Sequence, residues 1–270
     1  MRDPHVVWLE YRLQPSSHVA FENPPPIEHE TDTFIMRLSE GVARFEMKEH
    51  YASEEEAKSV VEEFLRAWEI YTALRFGAAE MRFSFERPHV IDRKPPPPGT
   101  TLVVALADRL TLKGEATVAL TAVRRAYPAP PTGFRVSPNV GTLWDRYQHY
   151  REGREPLPGV AYFCLTFLET MAGGPPEGAA RKRKISEARK KAAQKYQIDE
   201  NVLGKLGDLS STRGDARTAR KVTANMTPLS PAEAAWIDSA TREIIRRVGE
   251  VDAGATGLPA ITMKHLPPLR

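Results

Sequence analysis

The alternation of apolar and polar positions divides the chain into a strand-rich first part and a helix-rich second part. Residues 5–13 set Val7, Leu9, Tyr11 and Leu13 on one side against Val6, Trp8, Glu10 and Arg12 on the other, the two-residue period of a half-buried strand. Residues 14–30 hold Pro15 and the run Pro24, Pro25 and Pro26, whose fixed φ and missing N–H predict a loop. Phe34, Met36 and Leu38 then alternate with Thr33, Ile35 and Arg37. After Ser39, Glu40 and Gly41 a second run sets Ala43, Phe45 and Met47 against Arg44, Glu46 and Lys48, which predicts a hairpin.

At residues 53–77 the period changes. Ser53 with Glu56 three positions on makes a capping box, and Ala57, Val60, Val61, Phe64, Leu65, Trp68, Tyr71 and Leu74 recur at helical spacing until Gly77. The opposite face carries Glu54, Glu55, Glu62, Glu63 and Glu69, so this helix is expected to lie across a sheet. Met81, Phe83 and Phe85 predict a strand ending before Pro88, and two further strand-like runs follow at 102–106 and 116–123. Strand and helix do not alternate regularly, so the expected class is α+β: a mainly antiparallel sheet with one long amphipathic helix.

Beyond the proline-rich segment at 127–133 the strand patterns stop. Residues 140–151, 159–171, 178–196, 200–209 and 231–251 read as helices of a C-terminal all-helical bundle; the last opens with Ser230, Pro231 and Glu233 in capping positions and carries Trp236, Ala240 and Ile244 as one stripe. The expected organisation is an α+β module at 1–126, a proline-rich linker at 127–138, a helical module at 139–256 and an extended tail at 257–270.

Composition narrows the setting. In 270 residues, 41% hydrophobic and 27% charged positions exclude a wholly disordered or fibrous chain. The single cysteine, Cys164, excludes an internal disulfide or a zinc site built from thiolates. Asp3 and Pro4 stand where a secretory leader needs a positive and then an apolar stretch, and the apolar run at 156–171 is shorter than the ~20 residues that span a bilayer. A cytoplasmic protein with no membrane partner is therefore expected.

The net charge of +3 hides an asymmetry: residues 1–125 carry 16 basic and 20 acidic side chains, and residues 126–270 carry 22 and 15. Much of the excess lies on the predicted helix at 178–196, where Arg181, Lys182, Arg183, Lys184, Arg189, Lys190, Lys191 and Lys195 face only Glu187. Arg213, Arg217, Arg220 and Lys221 add to it farther on. Such a surface suits nucleic acid or an acidic protein surface; the alternatives are a solvated face, or a structural protein whose basic face packs on an acidic one. Gly173, Gly174 and Gly178 form a loop before this helix, a setting for an anion at a helix N-terminus, but Ala179 and Ala180 stand where a P-loop needs Lys and Ser or Thr.

Catalytic patterns are sparse. No pair among His5, His18, His29, His50, His89, His149 and His265 has the helical i, i+4 spacing of a zinc site, and no metal or other cofactor is expected. Ser210 and Ser211 lack a nucleophile elbow, and Cys164 lies among Tyr162, Phe163, Leu165 and Phe167 as a buried apolar residue would. Arg146 and His149, followed by Tyr150 and Arg151, form a polar cluster on one predicted helix. In an all-helical module this pair resembles the HEPN ribonucleases, whose motif places a His four to six residues after an Arg; here only two residues intervene. The resemblance rests on that pair and implies a phosphodiester-cleaving or phosphate-handling enzyme as the alternative to a binding or assembly protein, which the basic surface favours.

Overall fold

The structure, a computed structural model, describes residues 3–16, 18–77, 81–94, 122–173, 181–215 and 227–269, with the backbone alone for 181–185. The chain divides into two units, Met1–Pro131 and Thr132–Arg270. The first is α+β and the described part of the second is helical with short connections.

In the first unit β1 (Pro4–Pro15), β2 (Val19–Phe21), β3 (Ile27–Glu30), β4 (Phe34–Ser39) and β5 (Val42–Met47) precede α1 (Glu54–Phe76), which is followed by β6 (Met81–Asp92) and β7 (Ala122–Arg124). Five strands form an antiparallel sheet in the order β3-β4-β5-β1-β6, and β2 pairs in parallel with β7. The helix starts at the predicted N-cap: Ser53 accepts from the Glu56 N–H at 3.3 Å, while the Glu56 carboxylate accepts from the Ala52 N–H at 3.1 Å in place of the Ser53 N–H of a full capping box. Ala57, Val61, Leu65 and Trp68 of α1 pack with Leu9, Tyr11, Phe34, Met36 and Phe45 of the sheet. Trp68 is fully buried, and its indole N–H donates to the Pro128 carbonyl at 3.1 Å, satisfying the ring's polar atom. Tyr127 belongs to the same core, its hydroxyl accepting from the Gly41 N–H at 2.9 Å.

Three local expectations change. The loop expected at 14–30 contains β2 and β3; β3 begins directly after Pro26 and pairs on one side only, at the sheet edge, where prolines beside it cost no ladder bond. The strand expected to stop before Pro88 runs on to Asp92, because β6 is the opposite edge and its proline faces a single neighbour. Finally, Val6 rather than Val7 lies in the core. The β1–β6 register shifts between Val6 and Trp8, so the bulge at Val7 reverses the side-chain alternation at that point. The strand-like run at 102–106 and most of that at 116–123 lie outside the described residues; only its end, Ala122 and Val123, is seen, in β7.

On the face of the sheet away from α1, Glu10 is 4% exposed and held between two guanidinium groups. Arg44 of β5 donates to it at 3.0 and 2.6 Å, and Arg87 of β6 at 2.6 Å. Burial works to raise the Glu10 pKa, but the two arginines outweigh it and hold the carboxyl below its ordinary value.

The second unit contains α2 (Pro138–Arg151), α3 (Leu157–Gly173), α4 (Arg181–Tyr196), α5 (Glu200–Thr212) and α6 (Pro231–Asp252), then a 3-10 turn at Met263–His265. α3 is central and packs on the other four helices through Val160, Ala161, Cys164, Leu165 and Leu168. α6 begins with the predicted capping box of Ser230 and Glu233. The end of the chain, expected as an extended tail that can pack back on the body, does so: Ile261 is buried, bridges to Ile198 and exchanges backbone hydrogen bonds at 2.9 Å with Gln197 and Asp199.

Arg247 of α6 fixes this corner. Its side chain, 1% exposed, donates to the carbonyls of Tyr196 at 3.1 Å, Gln197 at 3.0 Å and Pro259 at 2.7 Å. The first two lie at the C-terminal end of α4, where unpaired carbonyls and the helix dipole favour a cation. Replacing Arg247 with Met should cost about 3–5 kcal/mol in chemical denaturation, because three carbonyls lose their donor and Glu250 one of its two cationic neighbours. The same change at exposed Arg135 should stay within about 0.5 kcal/mol.

Candidate functional site

Among the described side chains of α4, Ala188, Ala192, Ala193 and Tyr196 are buried, Arg189 is half-buried, and Ser186, Glu187, Lys190, Lys191, Gln194 and Lys195 are exposed. The approach to α3 is close: a Cβ on Gly173 would stand 3.3 Å from Ala188, so both residues must be small. Between these two helices Arg189 donates to Glu169 at 2.8 Å, and Gly207 of α5 leaves the room, since a Cβ there would stand 3.2 Å from the Arg189 guanidinium. Burial raises the Glu169 pKa above the ordinary carboxylate range, and Arg189 opposes that shift.

The basic residues singled out in the sequence therefore separate. Arg189 is committed to Glu169, and Arg213, at the end of α5, donates to Glu233 of α6 at 2.8 Å. Both act as internal braces. Lys190 and Lys191 are exposed, with no ion-pair partner among the described residues, and Lys195 donates to the Met171 carbonyl at 3.2 Å. Arg181, Lys182, Arg183 and Lys184 form the first turn of α4 by their backbone. Lys190 and Lys191 follow Arg183 and Lys184 by seven residues each, a helical repeat of two turns and about 10.5 Å. Arg217, Arg220 and Lys221 lie outside the described residues, as does most of the glycine loop before α4.

Elsewhere in this unit several acids pair within it. Arg154 pairs with Glu152, Lys205 with Asp208 at 3.5 Å, Arg242 with Asp238 at 3.0 Å, and Arg246 with Glu243 and Glu250. These pairs leave Lys190 and Lys191 exposed side by side on α4.

Of the candidate catalytic pair, Arg146 is engaged by an acid. The Arg146 guanidinium engages both carboxylate oxygens of Glu155 and lies 4.1 Å from the centre of the Phe163 ring. It braces the α2–α3 connection. The His149 carbonyl accepts from the N–H groups of Arg154 at 2.8 Å and Glu155 at 3.1 Å, which shapes the same turn. A cleft of about 650 Å³ nearby is lined by Tyr150, Arg154, Glu155, Leu157, Asp215 and Leu229, and neither Arg146 nor His149 lines it. Cys164 is fully buried, and burial pushes its thiol pKa up to about 12, so it is a packing residue.

Among the described residues no group of three or more His, Cys, Asp or Glu is placed to hold a metal ion, and no helix is long and apolar enough to cross a membrane. Comparison of the chain with protein-family models, curated proteins and solved structures finds no match.

Sequence reasoning groups Arg189 with its neighbours and misses Glu169 as its partner. The available signal is a single acid in an otherwise apolar helix, with Arg189 at the edge of the alanine stripe. Arg189→Met should destabilise the protein by about 1–3 kcal/mol at neutral pH, because it strands a buried carboxylate. The raised folded-state pKa of Glu169 means that the folded state holds its proton at pH values where the unfolded state has lost it. The deficit should therefore shrink as pH falls through the range just above the ordinary carboxylate value, in urea melts between pH 7 and 5. Lys190→Met should show no such dependence.

Proposed function

We propose that this is a two-unit binding protein whose helical unit holds nucleic acid along α4. The observation that carries the reading is the unpaired ridge of Lys190 and Lys191, continued in sequence by the basic first turn of the same helix. The charge balance supports it: residues 132–270 carry 22 basic and 15 acidic side chains, and the acids named above sit beside arginines or Lys205 rather than beside Lys190 or Lys191. The ridge offers point charges on flexible stems, suited to phosphates spaced along a backbone rather than to base edges. It is a sequence-tolerant binder with salt-dependent affinity.

The test is the salt dependence of binding to a fluorescent duplex of mixed sequence. With about four phosphate contacts the slope of log K against log salt should be about −3.6. Reversing both lysines, Lys190→Glu with Lys191→Glu, should remove about 1.8 from that slope and leave the melting temperature unchanged. A flat dependence, or a double variant that binds as the parent does, overturns the reading. Retention of an acidic protein but not of the duplex also overturns it, in favour of a protein partner.

A further inference from the structure

The first unit brings together two histidines that are 45 positions apart in the chain. His5 lies near the start of β1 and His50 just after β5, where the Val6 N–H donates to the Tyr51 carbonyl at 3.0 Å and ties the two segments side by side. The Nδ1 atoms stand 3.3 Å apart and the ring centres 5.2 Å apart, with planes inclined by 32°.

These two lengths can be read together. A straight N–H···N bond of this length between imidazoles would set the ring centres about 5.6 Å apart. Two rings aimed at one tetrahedral cation, each nitrogen about 2.05 Å from it, give nitrogens about 3.3 Å apart and ring centres about 5.2 Å apart. The second set matches both values, as two nitrogens turned toward a point beside the pair would give.

A second contact orients one ring. The Asp3 carboxylate lies 3.5 Å from His50 Nε2, on the far side of the imidazole from His5. A carboxylate there favours a proton on Nε2 and leaves the Nδ1 lone pair free, the outer-shell arrangement that orients metal-bound histidines. Asp3 is itself held, since its N–H donates to the Asp92 carboxylate at 3.0 Å and its carbonyl accepts from the Arg93 N–H at 2.9 Å. His5 is 9% exposed, while the His50 side chain is 39% exposed and opens the pair to solvent.

We propose that His5 and His50 form a binding site for a late first-row divalent cation, through Nδ1 of each ring, with water completing the coordination. Imidazole nitrogen suits copper and zinc, and the general affinity order places Cu²⁺ above Zn²⁺. In the metal-free protein one Nδ1 proton joins the two rings; the cation takes its place, and the ring that held this proton carries it on Nε2 instead, so both imidazoles bind as neutral ligands. Arg93, whose positive charge acts on His5, tempers the affinity. The bound ion ties the start of β1 to the segment that leads into α1, two stretches also joined there by the ring contact, the Asp3–His50 pair and the Val6 hydrogen bond.

The test uses the full chain without an affinity tag, titrated calorimetrically with ZnCl₂ and CuCl₂ alone. One site per chain is expected, tighter for copper, with a melting temperature that rises on adding metal and falls back with EDTA. His50→Asn, at the more exposed position, should weaken binding at least tenfold while its melting temperature in EDTA stays at the parent value. Asp3→Asn should weaken it about tenfold through the ring it orients. His149→Asn should bind as the parent does. The nitrogen hyperfine pattern of the copper-loaded protein should report two imidazoles. Absence of a saturable one-site isotherm, unchanged binding in His50→Asn, or a single-nitrogen pattern overturns the proposal.

Discussion

The arrangement of the helical unit depends on a buried cation. Helix ends leave carbonyls without partners, and α4 ends inside the fold, at Tyr196, where water is scarce. Arg247 resolves this by reaching from α6 to the carbonyls of Tyr196 and Gln197 while holding the Pro259 carbonyl with the same group. A planar guanidinium has five donors in a fixed fork, enough to serve all three acceptors at once. One residue thus joins the end of the basic helix, the last long helix and the returning end of the chain. The direction in which α4 presents Lys190 and Lys191 is set at that end by Arg247 and along its length by Arg189 with Glu169.

The sheet unit solves a related problem with the signs exchanged. Here the buried charge is Glu10, and two arginines from the strands on either side converge on it. The triad crosses β5, β1 and β6, so it pins the middle of the sheet at its outer face while Leu9 and Tyr11 anchor the inner face on the core around α1. Removing either guanidinium leaves a carboxylate with half its compensation, which makes the register of β1 costly to shift.

Most of the framework can be read in the sequence because it rests on local periodicity. Alternation locates β1, β4 and β5, the 3.6-residue repeat locates α1 and α6, and the Ser53–Glu56 and Ser230–Glu233 spacings mark where those two helices begin. What cannot be read depends on partners distant in the chain. Pro88 interrupts a local pattern yet stands within β6, because β1 supplies the pairing and the edge position removes the need for its N–H. The inward turn of Val6 depends on a bulge, and a bulge is a property of two strands. Likewise Arg189 and Arg213 look like members of a basic surface until Glu169 and Glu233 are brought beside them, while the exposure of Lys190 and Lys191 follows from the alanine stripe that fixes which face of α4 is buried.

The division of labour between the two basic residue types gives that surface its character. Among the described pairs of the helical unit the cations are Arg146, Arg154, Arg189, Arg213, Arg242, Arg246 and Arg247, with Lys205 beside Asp208 as the lysine exception. Guanidinium groups are less strongly hydrated and hold a fork geometry, so they are the groups that can be drawn into half-buried pairs. Ammonium groups keep their water and remain outside. Packing chemistry therefore sorts the charges: it consumes the arginines as braces and leaves lysines on the open side of α4, available to anything whose own charge is negative and whose contacts can be made through solvent.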